Sequence, residues 1–239
     1  MLDASAAPDS RIFVPESRIG FWFLGTETWA TRVIRVALRD LDRLIPEGHR
    51  PRRPLVLDVG CGQGKSFLPL FEQFSPSRII GIDFDEHCVA AARAAAGALP
   101  VDVRRGELSR LDLADRSVDL VFCHQTFHHL TRQQLALGEF YRVLKPGGLL
   151  LFAESTRAYI HSWIIRLLFR HPMEVQRSAG EYQQMIRACG FEFGAANVSY
   201  PYLWWSRPDL GSFEFWGLPA GTPGEREETL INLVAVRPG

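Results

Sequence analysis

The chain has 239 residues, a length that fits one generous domain better than two. Hydrophobic residues make up 46% and charged residues 23%, which excludes disordered, collagen-like and small disulfide-scaffold classes. Lys plus Arg and Asp plus Glu both total 27, so the net charge is zero and the basic excess of a dedicated nucleic-acid binder is missing.

The N-terminus, Met1-Leu2-Asp3-Ala4-Ser5, has no basic or apolar leader pattern, and residues 1–16 read as a loose arm. From Thr28 to Ile45 apolar residues recur at helical spacing until Pro46 and Gly48. Strands and helices then alternate. Leu55–Val59, Arg78–Ile82, Val101–Arg104, Val118–Cys123 and Leu149–Ala153 read as strands. Lys65–Phe74, Glu86–Ala98 and Arg132–Leu144 read as helices, with Pro69 confined to a first turn or a kink. This alternation predicts right-handed crossovers and an α/β, doubly wound, mostly parallel sheet with helices on both faces. Beyond residue 155, Tyr159–Arg170 reads as an amphipathic helix. Ser178-x-x-Glu181 is a capping box opening a helix that Gly190 ends. Phe191–Tyr200 and Leu230–Val236 read as final strands, paired as an antiparallel edge.

The longest strongly apolar run, Trp163–Phe169, is interrupted by Arg166 and is too short to span a bilayer. The four cysteines (Cys61, Cys88, Cys123, Cys189) are scattered. Reduced thiols in a cytoplasmic protein are the simplest reading.

The first strand runs into Asp58-Val59-Gly60-Cys61-Gly62-Gln63-Gly64-Lys65-Ser66. A glycine-rich turn between strand and helix admits a ligand close to the backbone. The phosphate-loop spacing G-x-x-x-x-G-K-[ST] fails because Val59 stands where its first glycine belongs. The dinucleotide spacing G-x-G-x-x-G fails because Lys65 replaces the third glycine. What remains is an acid, Asp58, followed by three alternating glycines. A carboxylate there repels a pyrophosphate and suits a ligand with a positive charge, such as an amino-acid ammonium.

Here the sequence resembles the class I S-adenosylmethionine (AdoMet)-dependent methyltransferases. Val56–Gly64 looks like their first motif and Gly81-Ile82-Asp83 like their second. Asp119-Leu120-Val121-Phe122 and Phe127-His128-His129-Leu130 match the fourth-strand region, and residues 139–148 match the segment before the fifth strand. The resemblance covers residues 55–155. It implies a seven-stranded Rossmann-like methyltransferase fold in one domain, with AdoMet as cofactor and S-adenosylhomocysteine (AdoHcy) as product. Residues 1–54 then form an arm and helical cap, 55–155 the AdoMet-binding core, and 156–239 a substrate-side helical insert with the last strands.

Residue by residue, the resemblance implies that Asp58, Gly60, Cys61, Gly62 and Gly64 form the cofactor loop. Asp83 binds the ribose hydroxyls, or caps the next helix, or both. Phe84 flanks the adenine or is a plain core residue. Glu107 and Leu108 touch the adenine amino group, unless Arg104 or Arg105 pairs with Glu107. His124 and Gln125 line the sulfonium side. His128 is the candidate catalytic base, with a turn-forming hydrogen bond as its alternative. No metal is expected from His124, His128 and His129, because His124 ends a strand and no helical i, i+4 face joins it to His128.

The acceptor site must be roofed by what lies outside the core. All six tryptophans (Trp22, Trp29, Trp163, Trp204, Trp205, Trp216) fall outside residues 55–153, with Tyr159, Tyr200 and Tyr202 nearby in sequence. They suit a small apolar or aromatic substrate, or they fill a second core layer. Cys123-His124-Gln125-Thr126 stands where base-amine methylating enzymes carry [DN]-P-P-[YF], which with the neutral charge argues against nucleic acid. The resemblance is to the group that includes quinone-biosynthesis and natural-product enzymes. A lipid or quinone methyltransferase at a membrane and a catalytically silent AdoMet-binding protein are the alternatives.

Overall fold

The computed structural model describes residues 17–201 and 228–239. Its strands are β1 (Leu55–Val59), β2 (Arg78–Asp83), β3 (Val101–Arg105), β4 (Val118–His124), β5 (Leu144–Ser155), β6 (Val198–Ser199) and β7 (Leu230–Val236). Its helices are α1 (Arg18–Leu24), α2 (Arg35–Leu44), α3 (Phe67–Phe74), α4 (Glu86–Ala96), α5 (Gln133–Val143), α6 (Arg157–Ile160), α7 (Trp163–Leu168) and α8 (Ala179–Ala188). The strands form one sheet in the order β3-β2-β1-β4-β5-β7-β6. β1 to β5 pair in parallel, while β7 runs antiparallel to β5 and β6 antiparallel to β7. This is the doubly wound sheet with an antiparallel edge that the alternation predicts.

Successive strand residues point to opposite faces, so each strand feeds two cores. Leu57, Ile80, Val121 and Cys123 pack with Leu137 and Phe140 of α5 and Tyr182 and Ile186 of α8. Val56, Ile79, Leu120 and Phe122 pack on the other face with Leu38 and Leu41 of α2, Leu70 of α3 and Ala92 of α4. Burying each large apolar side chain contributes about 1.5–3 kcal/mol. Helix starts follow local chemistry. The Asp85 carboxylate accepts from His87 N at 2.7 Å and caps α4. Ser178 Oγ and Glu181 Oε2 each accept the other's backbone N–H, closing the expected capping box of α8. Pro69 is the third residue of α3, where its missing N–H has no intrahelical partner to lose.

Four local expectations are corrected. Residues 28–45 are not one α-helix: Trp29–Ile34 is a π-helical stretch leading into α2. β5 begins at Leu144, immediately after α5, and carries Pro146 within it. The Tyr159–Arg170 helix is broken into α6 and α7 by extended backbone at Ser162. The break lets Tyr159, Ile160, Ile165 and Leu168 line one cavity, whereas a single helix would spread them over an arc of about 240°. Of Phe191–Tyr200 only Val198–Ser199 forms a strand. Gly194–Asn197 instead makes a tight turn in which Asn197 Oδ1 accepts Gly194 N at 2.9 Å and Asn197 Nδ2 reaches Leu44 O at 2.9 Å. α1 begins just after the residues read as a loose arm, with Ser17 Oγ accepting from Gly20 N. The segment joining β6 to β7 lies largely outside the described residues.

Candidate active site

In the sheet order, the strands on one side of β1 run β1-β2-β3 and on the other β4-β5. A parallel sheet that reverses direction of growth leaves a crevice at the strand carboxyl ends. A cavity opens there, lined by Asp58, Gly60, Cys61, Gly62, Asp83, Phe84, Glu107, Leu108, His124 and Gln125. Ten of the eleven expected cofactor residues therefore meet at one place, from the ends of four strands. Gly64 does not line it. A Cβ at Gly64 would stand 2.7 Å from the Phe67 ring and 3.0 Å from Ala92 Cα, so this glycine serves the packing of α3 against α4.

Gly60 and Gly62 have φ of +67° and +52°, a region that L side chains rarely adopt. At Gly60 a Cβ would collide with the Thr126 side chain, whose Oγ1 donates to Gly60 O at 3.2 Å. At Gly62 a Cβ would meet nothing within 4 Å, so the space there is available to a ligand. Gly60 N and Cys61 N donate to Ile82 O, which ties the loop to β2. The Cys61 thiol is buried, and burial pushes its ionisation well up, so it serves as packing rather than as a nucleophile.

Asp58 is buried and accepts a hydrogen bond from Ser66 Oγ. Burial raises its carboxyl to about 7; the Ser66 bond opposes this and nearby Asp83 adds to it. Among the described residues no cationic side chain pairs with it: Lys65, which also lines the cavity, is held by Glu27 at 2.8 Å. A buried, unpaired carboxylate beside open space fits an incoming ammonium. Asp83 accepts Gly62 N at 2.8 Å and Asp85 N at 2.9 Å, one on each oxygen. It does not cap α4, since Asp85 does. With Phe84 N as a third backbone donor, the carboxylate keeps acceptor capacity for one more donor, such as a ligand hydroxyl. Glu107 bonds Ser109 Oγ and Arg132 at 3.4 Å. Arg104 instead pairs with Asp102 and Arg105 with Glu86. Phe84 is half-buried, with the Arg105 guanidinium 5.8 Å from its ring centroid.

Beyond β4, His124 stacks on Phe122 and meets Trp29 edge-on, both at centroid distances near 5.6–5.7 Å. Burial lowers its ionisation to about 4, so the ring is neutral at pH 7. Gln125 has φ +50°, an uncommon conformation for a side-chain-bearing residue, and accepts Ser155 Oγ at 2.6 Å. The turn that follows is organised by Glu154, which sequence reading passed over. Glu154 is fully buried in β5 and accepts Thr126 N at 2.7 Å, Phe127 N at 2.7 Å and the Cys123 thiol at 3.6 Å. Its second oxygen lies 2.6 Å from His128 Nδ1. A carboxylate at Nδ1 places the proton there and leaves Nε2 as the other working atom of the ring. The signal for Glu154 was available: an acid at the end of an otherwise apolar buried strand needs donors around it.

His128 lies in a second, mostly apolar cavity with Trp22, Trp29, Tyr159, Ile165, Phe169 and His171. The two cavities share Leu24, Trp29, Gln125 and His129. α1 is fastened over the glycine loop by Gln63 Nε2, which donates to Phe21 O at 2.6 Å. Of the aromatic flank, Trp163 is exposed, and Tyr200 bonds Gln183 instead. Tyr202, Trp204, Trp205 and Trp216 lie outside the described residues.

Residues 57–152 match the family described as Methyltransferase domain. The chain is 33% identical over 168 residues to a demethylmenaquinone methyltransferase of Deinococcus radiodurans, covering 60% of this chain and 69% of that protein. The chain belongs to the class I AdoMet-dependent methyltransferases. A Mycolicibacterium smegmatis protein named a probable S-adenosylmethionine-dependent methyltransferase is 36% identical over 145 residues, 60% of this chain and 54% of that one. The methyltransferase thus spans about half the length of this relative. An S-adenosylmethionine-dependent methyltransferase from Mesorhizobium loti shares the fold, with TM-score 0.62 and 20% identity over 89% of this chain and 99% of that one. AdoMet is the cofactor of this family, and AdoHcy its product.

The residues present fit AdoMet. Asp58 meets the requirement for an ammonium, Gly62 leaves room for the ligand, and Asp83 keeps acceptor capacity for a ribose hydroxyl. The methyltransferase also lines this cavity with Ser66, Thr126 and Trp29, which sequence reading did not place there. Ser66 and Thr126 act through Asp58 and Gly60, contacts that only the folded loop creates.

Proposed function

We propose that the protein transfers a methyl group from AdoMet to a small apolar or aromatic molecule seated in the second cavity. The shared wall of Leu24, Trp29, Gln125 and His129 supports this, because in-line displacement needs donor and acceptor pockets that adjoin. AdoMet supplies an electrophilic methyl on a sulfonium. The chain holds and aligns the two ligands and keeps water out. Asp58 takes the ammonium and Asp83 the ribose. Phe84, Glu107 and Leu108 border the adenine, His124 lines the sulfonium side, and Gln125 stands between the pockets. His128 forms the polar end of the acceptor pocket, its ring fixed by Glu154. A relative named for demethylmenaquinone supports an aromatic acceptor. We assign the reaction to the cytoplasm and to no nucleic-acid substrate.

The test is a transfer assay with methyl-labelled AdoMet against a panel of phenols, hydroquinones, amines and carboxylic acids. Label is expected in an apolar aromatic acceptor. Turnover confined to polar amines or nucleic acid contradicts the substrate reading, and AdoMet binding with no turnover across a broad panel favours the silent binding protein.

A second reading places the same reaction at a membrane surface. No described helix is long and apolar enough to cross a membrane. Yet Ile19 and Trp22 of α1 and Trp163 and Leu167 of α7 are 58–74% exposed beside exposed Arg18 and Arg166. Apolar side chains ringed by arginine suit an anionic lipid interface. Co-flotation with phosphatidylglycerol vesicles, lost in the W22A/W163A variant, is expected under this reading. Absence of flotation removes it.

A further inference from the structure

Three histidines distant along the chain meet at the polar end of the acceptor cavity. His128 and His129 sit on the 3-10 turn Phe127–His129, and His171 follows α7. Their ring centroids are 4.3, 5.1 and 4.8 Å apart. One ligand nitrogen from each lies within 4.8 Å of the others. A tetrahedral ion with bonds of about 2.0–2.1 Å to nitrogen needs separations of about 3.3 Å, so small rotations of the half-buried His129 and His171 rings close the set.

Two further observations support a ligand set. Glu154 Oε2 on His128 Nδ1 is the outer carboxylate that fixes ring and tautomer in a metal-binding histidine, and it leaves Nε2 to bind. The two chain segments are pinned together. Gln176 Nε2 donates to His128 O at 2.9 Å and Pro172 O at 2.7 Å, and Gln133 Nε2 donates to Phe127 O at 3.3 Å and Val175 O at 3.1 Å.

We propose that His128, His129 and His171 bind one divalent transition-metal ion of the zinc class, with an open fourth position toward the acceptor cavity. Three imidazole ligands select such an ion over magnesium or calcium. The sequence expectation of no metal concerned His124, which points to the cofactor cavity; the fold supplies His171 in its place. The site stands on its own geometry, while its use rests on the methyl-transfer reading. An acceptor hydroxyl bound to the ion releases its proton to solvent near neutral pH. Its oxygen forms the new C–O bond as the S–CH3 bond breaks, and that electron pair stays on sulfur. The favoured acceptor is therefore an oxygen nucleophile, a phenol, enol or alcohol.

The probe is Co2+, titrated into chelator-treated full-length protein and followed by its visible absorption. One four-coordinate ion per chain is expected. H171A should weaken cobalt binding at least about tenfold, and E154Q about 10–100-fold. H49A, which alters an exposed histidine elsewhere, should leave it unchanged. AdoHcy calorimetry on the same samples is expected to be alike for native protein and H171A, showing that both are folded. No cobalt band in native protein that binds AdoHcy, or equal cobalt affinity in H171A, overturns the site. That same AdoHcy heat would leave the methyltransferase reading standing.

Discussion

Asp58 is a buried carboxyl whose ionised form calls for either a proton or a cation. Its carboxyl is raised to about 7, chiefly by burial. A raised folded-state value favours the ligand-free fold at low pH. That contribution is fully present below the unfolded value of about 3.9 and is lost as pH rises through about 7. An ammonium on Asp58 favours the carboxylate, so binding releases a proton below about pH 7. AdoHcy affinity is expected to fall about tenfold per unit as pH drops from about 7 to about 5, and to be level above about pH 8. Calorimetry in two buffers of different ionisation heat counts the proton. D58N should remove this dependence and weaken binding, yet stabilise the ligand-free protein at pH 8 by about 1 kcal/mol, read by urea unfolding. At Gly62 the open space defines a second test. G62A should fold with a loss of about 1–2 kcal/mol from its positive φ and bind AdoHcy at least about tenfold more weakly. Unchanged binding would show that the ligand does not approach this backbone. Asp58, the glycines and Asp83 were legible because each follows a recognisable strand. Ser66 and Thr126 were not, since their roles come from contacts to Asp58 and Gly60, 8 and 66 residues away in the chain.

At the scale of elements, β1 to β5 and α3 to α5 were legible from period alone, because a parallel sheet buried on both faces writes continuous apolar runs separated by helical repeats. The capping box of α8 was equally plain, and S178A is expected to cost about 1 kcal/mol in denaturant unfolding. The split of α6 from α7 was not visible. Its cause is tertiary: both pieces turn apolar residues toward the same cavity, which no single helical face supplies. β6 was overestimated because the apolar and small residues of Phe191–Tyr200 alternate poorly and Asn197 diverts the chain into a turn. The β4–β5 pair is joined at its end by Glu154. E154Q keeps the side-chain volume but turns one acceptor into a donor facing His128, and a loss of about 1–3 kcal/mol is expected in urea unfolding. Native stability in that variant would show that the buried carboxylate is not what organises the turn.

Across the whole molecule, the equal count of acidic and basic residues acquires a structural meaning. It supports our proposal that the acceptor is not nucleic acid, and among the described residues Arg142 is engaged with Glu139 and Asp115. Electrophoretic mobility of a mixed-sequence DNA duplex is expected to be unchanged by the protein at about 0.15 M salt; a shift that collapses steeply with added salt would contradict this. The described tryptophans divide as well: Trp29 joins the two cavities, Trp22 borders the second while largely exposed, and Trp163 of α7 is exposed and lines neither. On our proposal, cofactor recognition is concentrated at the strand ends and acceptor recognition in the flanking helices. The most direct test of this division is calorimetry of AdoHcy against the native protein and the D58N and D83N variants, each verified as folded. One site per chain with micromolar affinity is predicted for the native protein, with binding weakened at least about a hundredfold in each variant. A folded native protein that gives no heat with AdoHcy or AdoMet, or variants that bind as the native chain does, would contradict it.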